Sequence, residues 1–221
     1  MDLDSQSAAR RHPRAPLQAR AEETRARILQ KARDAFAEMG FGATSIRDIA
    51  REAGVTHSMI TYHFGTKDEL WRAAVRDMFA LIEKQVFAPG ADDPALSDEQ
   101  RLRLLLRRYV RYCAQHPEHA RITIAETIRG GERLDWMIDA FVKANHAGFT
   151  PCLEALMQAG ALPRVPLVSL HYAIVGMAQL PFVLAREAQG AFGYDFAAQE
   201  AIEGHADAIL ALLFRGSAKA G

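Results

Sequence analysis

Twenty-four residues, Thr44 to Lys67 (TSIRDIAREAGVTHSMITYHFGTK), constrain this chain more than any other stretch. Counted from Ile46, the apolar residues Ile49, Ala50, Ala53, Val55 and Ile60 fall where two short helices bury against each other, with Gly54 at the turn. Ala50 is small enough for close approach, and Gly54 can take the left-handed backbone that a helix end before a tight turn requires. The helix starts are punctuated as well. Ser45 with Asp48 and Thr66 with Glu69 have capping-box spacing, and Thr56 can cap the helix between them. The spacing predicts a helix-turn-helix over 45–64, whose second helix, about 57–64, faces a DNA major groove. Its outward residues His57, Ser58, Thr61, Tyr62 and His63 can all hydrogen-bond to phosphates or base edges, while Ile60 and Phe64 turn inward. Thr44, Ser45, Arg47, Thr56 and Lys67, around the helix starts and on the first helix, complete the candidate DNA-binding set.

A formal net charge of zero at first argues against a nucleic-acid partner. The distribution answers that objection, because residues 10 to 67 carry 11 Lys/Arg against 6 Asp/Glu, a local excess of five positive charges. Positive charge thus gathers on the segment expected to read DNA. Residues 1 to 20 lack an apolar period and contain Pro13 and Pro16, so they are expected to form a disordered basic arm whose Arg10, Arg11, Arg14 and Arg20 can reach phosphates. No secretory or organelle-targeting pattern opens the chain, and Cys113 and Cys152 are too few and too far apart for a disulfide framework or a C-x-x-C site. The expected location is the cytoplasm.

The run GVTHSMITYHFGTKDEL resembles the signature of the TetR/AcrR family of transcriptional regulators, and the likeness extends to Thr24, Ile28, Phe36, Gly40, Ile46 and Leu70. It covers roughly the first third of the chain. The resemblance implies that Tyr62, His63 and Lys67 contact phosphates, leaving His57, Ser58 and Thr61 for base edges. At Thr61 this chain carries threonine where the family usually has an aromatic ring.

Helical periodicity runs through the rest of the chain, with no strand alternation. Helices are expected at about 24–39, 67–87, 98–115, 118–130, 133–161, 165–188 and 196–214. The predicted fold is all-α: a DNA-binding domain at 21–67, then a long linking helix into a helical ligand-binding and dimerisation domain at 68–221. Leu167 to Ala185 is uncharged over 19 residues, but His171, Gln179 and Pro181 interrupt it and no basic cluster flanks it, so a packed helix is preferred to a membrane span. With Ile202, Ile209, Leu210, Leu213 and Phe214 on the last helix, it is expected to build a homodimer interface, as the resemblance also implies.

The resemblance further implies an effector cavity in the second domain. Phe79, Tyr109, Cys113, Trp136, Phe141, His146, Phe149, His171 and Met177 are the candidates for its wall, with Asn145 and Gln179 as additional polar anchors. Nucleophile elbows, phosphate loops, dinucleotide fingerprints and zinc motifs do not occur, so neither catalysis nor a cofactor is expected. His116 and His119 lack a third spaced metal ligand, and Glu126 and Asp135 are read as carboxylates without a placed partner. The reading is a homodimeric regulator, expected to be a repressor, that binds a palindromic operator in double-stranded DNA and is released by a small, partly apolar effector. The alternative is a helical small-molecule-binding protein or enzyme with a vestigial helix-turn-helix.

Overall fold

The computed structural model describes the backbone of residues 14–214 and the side chains of residues 19–214. Among them every regular element is helical. The first is α1, Arg14–Ala43, interrupted at Gly40, whose φ of 70° and ψ of 167° break the helix where the sequence reading ends it. Residues 14–20, expected to belong to the arm, are instead the first turns of α1, so neither Pro16 nor the lack of an apolar period stops the helix there. The arm's remaining residues, with Arg10 and Arg11, lie outside the described residues.

The head is α1 with α2 (Ile46–Glu52) and α3 (His57–Phe64), followed by α4 (Lys67–Gln85). Its core holds the predicted Ile28, Phe36, Ile49, Ile60 and Leu70, all essentially buried, together with Trp71, whereas Met39, on the apolar stripe of α1, is 44% exposed. Gly54, at φ 64°, makes the turn, and the Val55 N–H then closes onto the Ala50 carbonyl at 3.0 Å. Thr66 and Glu69 form the full reciprocal capping box at the start of α4. Ser45 caps α2 through the Arg47 N–H at 3.2 Å, whereas Asp48 pairs with Arg51 at 2.7 Å instead of completing the expected box.

The body comprises α5 (Asp98–Gln115), α6 (Pro117–Arg129), α7 (Glu132–Met137), α8 (Lys143–Gln158), α9 (Leu167–Val183), α10 (Ala185–Phe192) and α11 (Gln199–Phe214). Two long helices expected from the sequence are divided. The helix expected at 133–161 is broken by a π-helical turn at Ile138–Val142, which no Gly or Pro announces. That expected at 165–188 bends by 71° between α9 and α10. Pro181 has no N–H for the Met177 carbonyl one turn back, and His205 Nε2 of α11 lies 2.9 Å from that oxygen, so the freed acceptor is satisfied from a neighbouring helix. No single helix among the described residues is long and apolar enough to cross a membrane; only the bent α9–α10 pair approaches that length.

Head and body share a polar seam. Arg33 of α1, 4% exposed, pairs with Asp77 of α4, and its Nε lies 3.5 Å from Glu118 of α6. Leu210 and Leu213, expected at a subunit interface, face this protomer's own core at 2% and 6% exposure, because α11 packs tightly on α5. The apolar residue that α11 turns outward is Leu212.

Two substitutions test which apolar residues hold the fold and which do not. Ile60→Ala should cost about 2–5 kcal/mol of unfolding free energy, as expected for a fully buried Ile. Ile128→Ala, at a residue 81% exposed, should change it by less than about 0.5 kcal/mol. Denaturant titration of both variants checks the assignment.

Candidate nucleic-acid interface and ligand cavity

The short helix α3 presents one face to the core and one to solvent. Ile60 and Phe64 are buried, while Thr56, His57, Ser58, Thr61 and Tyr62 are exposed, Tyr62 to 85%. His63 is half-buried, stacked edge-on against Tyr62 at 5.2 Å. Thr56 Oγ1 accepts from the Met59 N–H at 3.3 Å and shares a 2.9 Å hydrogen bond with Ser58, so the start of the helix is fixed before any ligand arrives. The Thr61 hydroxyl donates to the His57 carbonyl at 3.2 Å, which leaves its oxygen free to accept and its methyl free to pack. Met59, 40% exposed, also lies on the outer face. Sequence reasoning passed over it because a methionine in a short helix reads as core.

Two candidates sit differently from expectation. Thr44 is 3% exposed, with its hydroxyl donating to the Gly40 carbonyl at 2.7 Å, so it closes the end of α1 and does not face outward. Lys67 donates to the Gly42 carbonyl at 3.2 Å, and its ammonium lies 4.7 Å from the centre of the Phe41 ring. Arg133 from α7 covers the same ring at 4.1 Å, and burial together with the Arg133 charge lowers the Lys67 pKa. Lys67 is therefore half-buried and shared between the head's surface and its junction with the body, with further N–H donors left for a phosphate. Arg47 and Ser45 remain accessible beside it.

Behind this junction, α4, α5, α6, α7, α8 and α9 enclose a cavity of about 480 Å³. Phe79, Tyr109, His146, Phe149 and His171 line it, as expected, and so do Asn145 and Gln179. Four candidates do not. Cys113 is buried among core side chains, where burial pushes its thiol well above the usual range; Met177 offers its carbonyl to His205 on the far side of α9. Trp136 and Phe141 pack on each other at 5.4 Å, and Trp136 stacks on Trp71 of α4 beneath the Arg72 guanidinium, so these rings belong to the junction. The wall that sequence reasoning missed is α6, with Thr123, Thr127, Ile124 and Ile128. The signal was available, since Ile124 and Ile128 are one turn apart and lie on a different side of α6 from the buried Ile122.

Profiles of known families fit these two halves separately. The one described as "Bacterial regulatory proteins, tetR family" matches residues 28–74, and "Tetracyclin repressor-like, C-terminal domain" matches residues 99–213, more than half of the chain. The chain belongs to the TetR family. Among its relatives, the HTH-type transcriptional repressor Rv3405c of Mycobacterium tuberculosis is 59% identical over 49 residues, which is 22% of this chain and 26% of that protein. The HTH-type transcriptional regulator TtgR of Pseudomonas putida is 47% identical over 73 residues, 33% of this chain and 35% of TtgR. The chain thus spans about a quarter to a third of the length of these curated relatives. Over the whole fold it is similar to AibR, solved in complex with isovaleryl coenzyme A and operator DNA, with a TM-score of 0.71 at 20% identity, covering 87% of this chain and 99% of that one.

His116 and His119, weighed as metal ligands from their spacing, have hydrogen-bonding partners within the TetR body. His116 lies 3.2 Å from both Gln85 Nε2 and Glu118 Oε1, and His119 Nδ1 lies 2.7 Å from the Tyr112 hydroxyl. Glu126, read as unpartnered, is paired with Arg133 at 3.0 Å. That bond ties α6 to the cation over Phe41. His119 also lines the cavity, and burial lowers its pKa to about 4.

The folded state therefore resists protonation of His119. In the window between pH 6.5 and 4 the unfolded chain binds the proton and the folded one does not, so stability is complete above 6.5 and declines as pH falls. Between pH 7 and 4.5 this one residue should account for about 2–3 kcal/mol of the loss. His119→Phe keeps a ring against Phe79 and should shrink the stability difference between those two pH values by that order. An unchanged difference would show that His119 does not titrate this way.

Proposed function

We propose that this protein is a ligand-responsive transcriptional regulator of the repressor type, a homodimer without catalytic activity, that acts on DNA in the cytoplasm. The observation that carries the reading is the pairing of a polar, outward-facing α3 with a cavity whose walls reach the head. Exposed His57, Ser58, Thr61 and Tyr62 form a surface able to enter a major groove, with Arg47 and Lys67 beside it for phosphates. Among the described residues the cavity wall carries neither a carboxylate nor a thiol, which suits binding better than reaction.

The switch follows from where the cavity lies. Phe79 and Ile82 bring α4 to the wall, and Thr123 and Ile124 bring α6. These two helices also hold the seam to Arg33, and α7 supplies the cation over Phe41. A ligand that prefers a different α4–α6 spacing would turn the head relative to the body. In a dimer the two recognition helices must lie about 34–36 Å apart to enter successive major grooves, so a small rotation at each seam mismatches the pair. Coupling of about 1–3 kcal/mol between the two sites is enough for a 5- to 150-fold change in affinity.

Selection of bound sequences from a random DNA pool should enrich a palindrome whose half-sites are one helical turn apart. Tyr62→Ala should weaken binding to the selected duplex and to its single-base variants alike, as a phosphate contact does. Failure to enrich any sequence would overturn the reading.

The dimer interface is proposed on the outward residues of α9 and α11, in place of the buried leucines. Val168→Glu together with Leu212→Glu, at sites 60% and 61% exposed, should leave the fold intact and give monomers in light scattering. A dimer that survives both changes places the interface elsewhere.

A further inference from the structure

Resting on the effector reading, we infer that the cavity takes an uncharged, largely apolar molecule bearing a hydroxyl group, which docks on the imidazole pair His146–His171. His171 sits on α9 with 9% exposure and is one of the residues that line the cavity, and its Nε2 is buried without a hydrogen-bonding partner. The His146 ring on α8 lies 4.0 Å from it, centre to centre. A buried polar atom left unpaired is destabilising, so a ligand able to pair it gains that hydrogen bond. Its position opposite mostly aliphatic and aromatic walls gives the ligand one polar point and an apolar remainder.

Charge narrows the class. Among the described residues no Lys, Arg, Asp or Glu lines the cavity. A carboxylate or an ammonium would therefore be buried without a counter-ion, which is strongly unfavourable. The imidazoles do not supply one near neutral pH: burial, and for His171 also the proximity of His146, lowers both their pKa values, that of His171 to about 4. A neutral imidazole still accepts or donates one hydrogen bond at each nitrogen, which matches a hydroxyl. The remaining polar wall groups are also neutral, with Gln179 already donating to the Tyr109 hydroxyl at 2.7 Å.

Calorimetry on the full chain without DNA tests this with four probes that share one apolar body: 4-butylphenol, butylbenzene, 4-butylbenzoate and 4-butylbenzylamine. The phenol should bind about tenfold or more tighter than the other three, the scale of one buried hydrogen bond. In His171→Leu the phenol should fall to within about threefold of butylbenzene, whose own affinity stays near wild type, and His171→Gln should keep part of the preference. Equal or tighter binding of the benzoate or the amine, a preference unchanged in His171→Leu, or no binding of the phenol would overturn the assignment. Release of the selected DNA duplex is measured separately. Selective phenol binding that leaves DNA affinity unchanged supports the ligand class and counts against the effector reading.

Discussion

Arg33 is the residue on which the arrangement of head and body depends. Its guanidinium is buried between the Asp77 carboxylate of α4 and the Glu118 carboxylate of α6, so one cation from α1 ties the linking helix and a helix of the body together. Burial by itself would raise the Glu118 carboxyl, but the His116 hydrogen bond, its own backbone and the nearby His116 and Arg33 charges hold it below the usual range. Such a group adds little net stability over an apolar seam, yet losing one partner typically costs about 3–5 kcal/mol. What it supplies is a defined register between elements that apolar contacts alone would let slide.

A second contact follows from the first. Once α6 is fixed against α1, Arg129 at its end reaches the Gly40 and Gly42 backbone, and Arg133 settles on Phe41 opposite Lys67. Lys67 and the cavity-lining helices are thus joined through one aromatic ring and the Glu126–Arg133 pair. Because the joining groups are charged and oriented, their contacts depend on the position of α6. An apolar joint would deform more gradually.

The head was legible in the sequence because its signals are local: Gly54 must take a positive φ, Thr66 and Glu69 are three residues apart, and Ile49 and Ile60 have no other place to bury. The body was legible as helices but not as breaks. The π-helical turn at Ile138–Val142 has no residue that demands it, and the carbonyl that Pro181 frees in α9 is met by His205, 28 residues away in the chain. Cavity residues were half legible for a related reason. A ring at helical spacing reads the same whether it faces a void, as Phe149 does, or a neighbouring helix, as Trp136 does. Histidines were the better guide, since His146 and His171 on apolar helices required a polar reason to be there. Leu210 and Leu213 misled because α11 is apolar on more than one side, and periodicity does not tell which side its own protomer takes.

On the proposed function, the head reads DNA only while the Arg33 seam fixes its orientation. The decisive measurement is the affinity of Arg33→Met/Glu118→Gln for the selected duplex. This double variant removes both buried charges together and lies away from the outward face of α3. Circular dichroism and thermal unfolding report whether its helices are retained. The account predicts a folded protein whose affinity for the duplex falls about tenfold or more, the scale of ordinary coupling between sites. A fully folded double variant with wild-type affinity would contradict it.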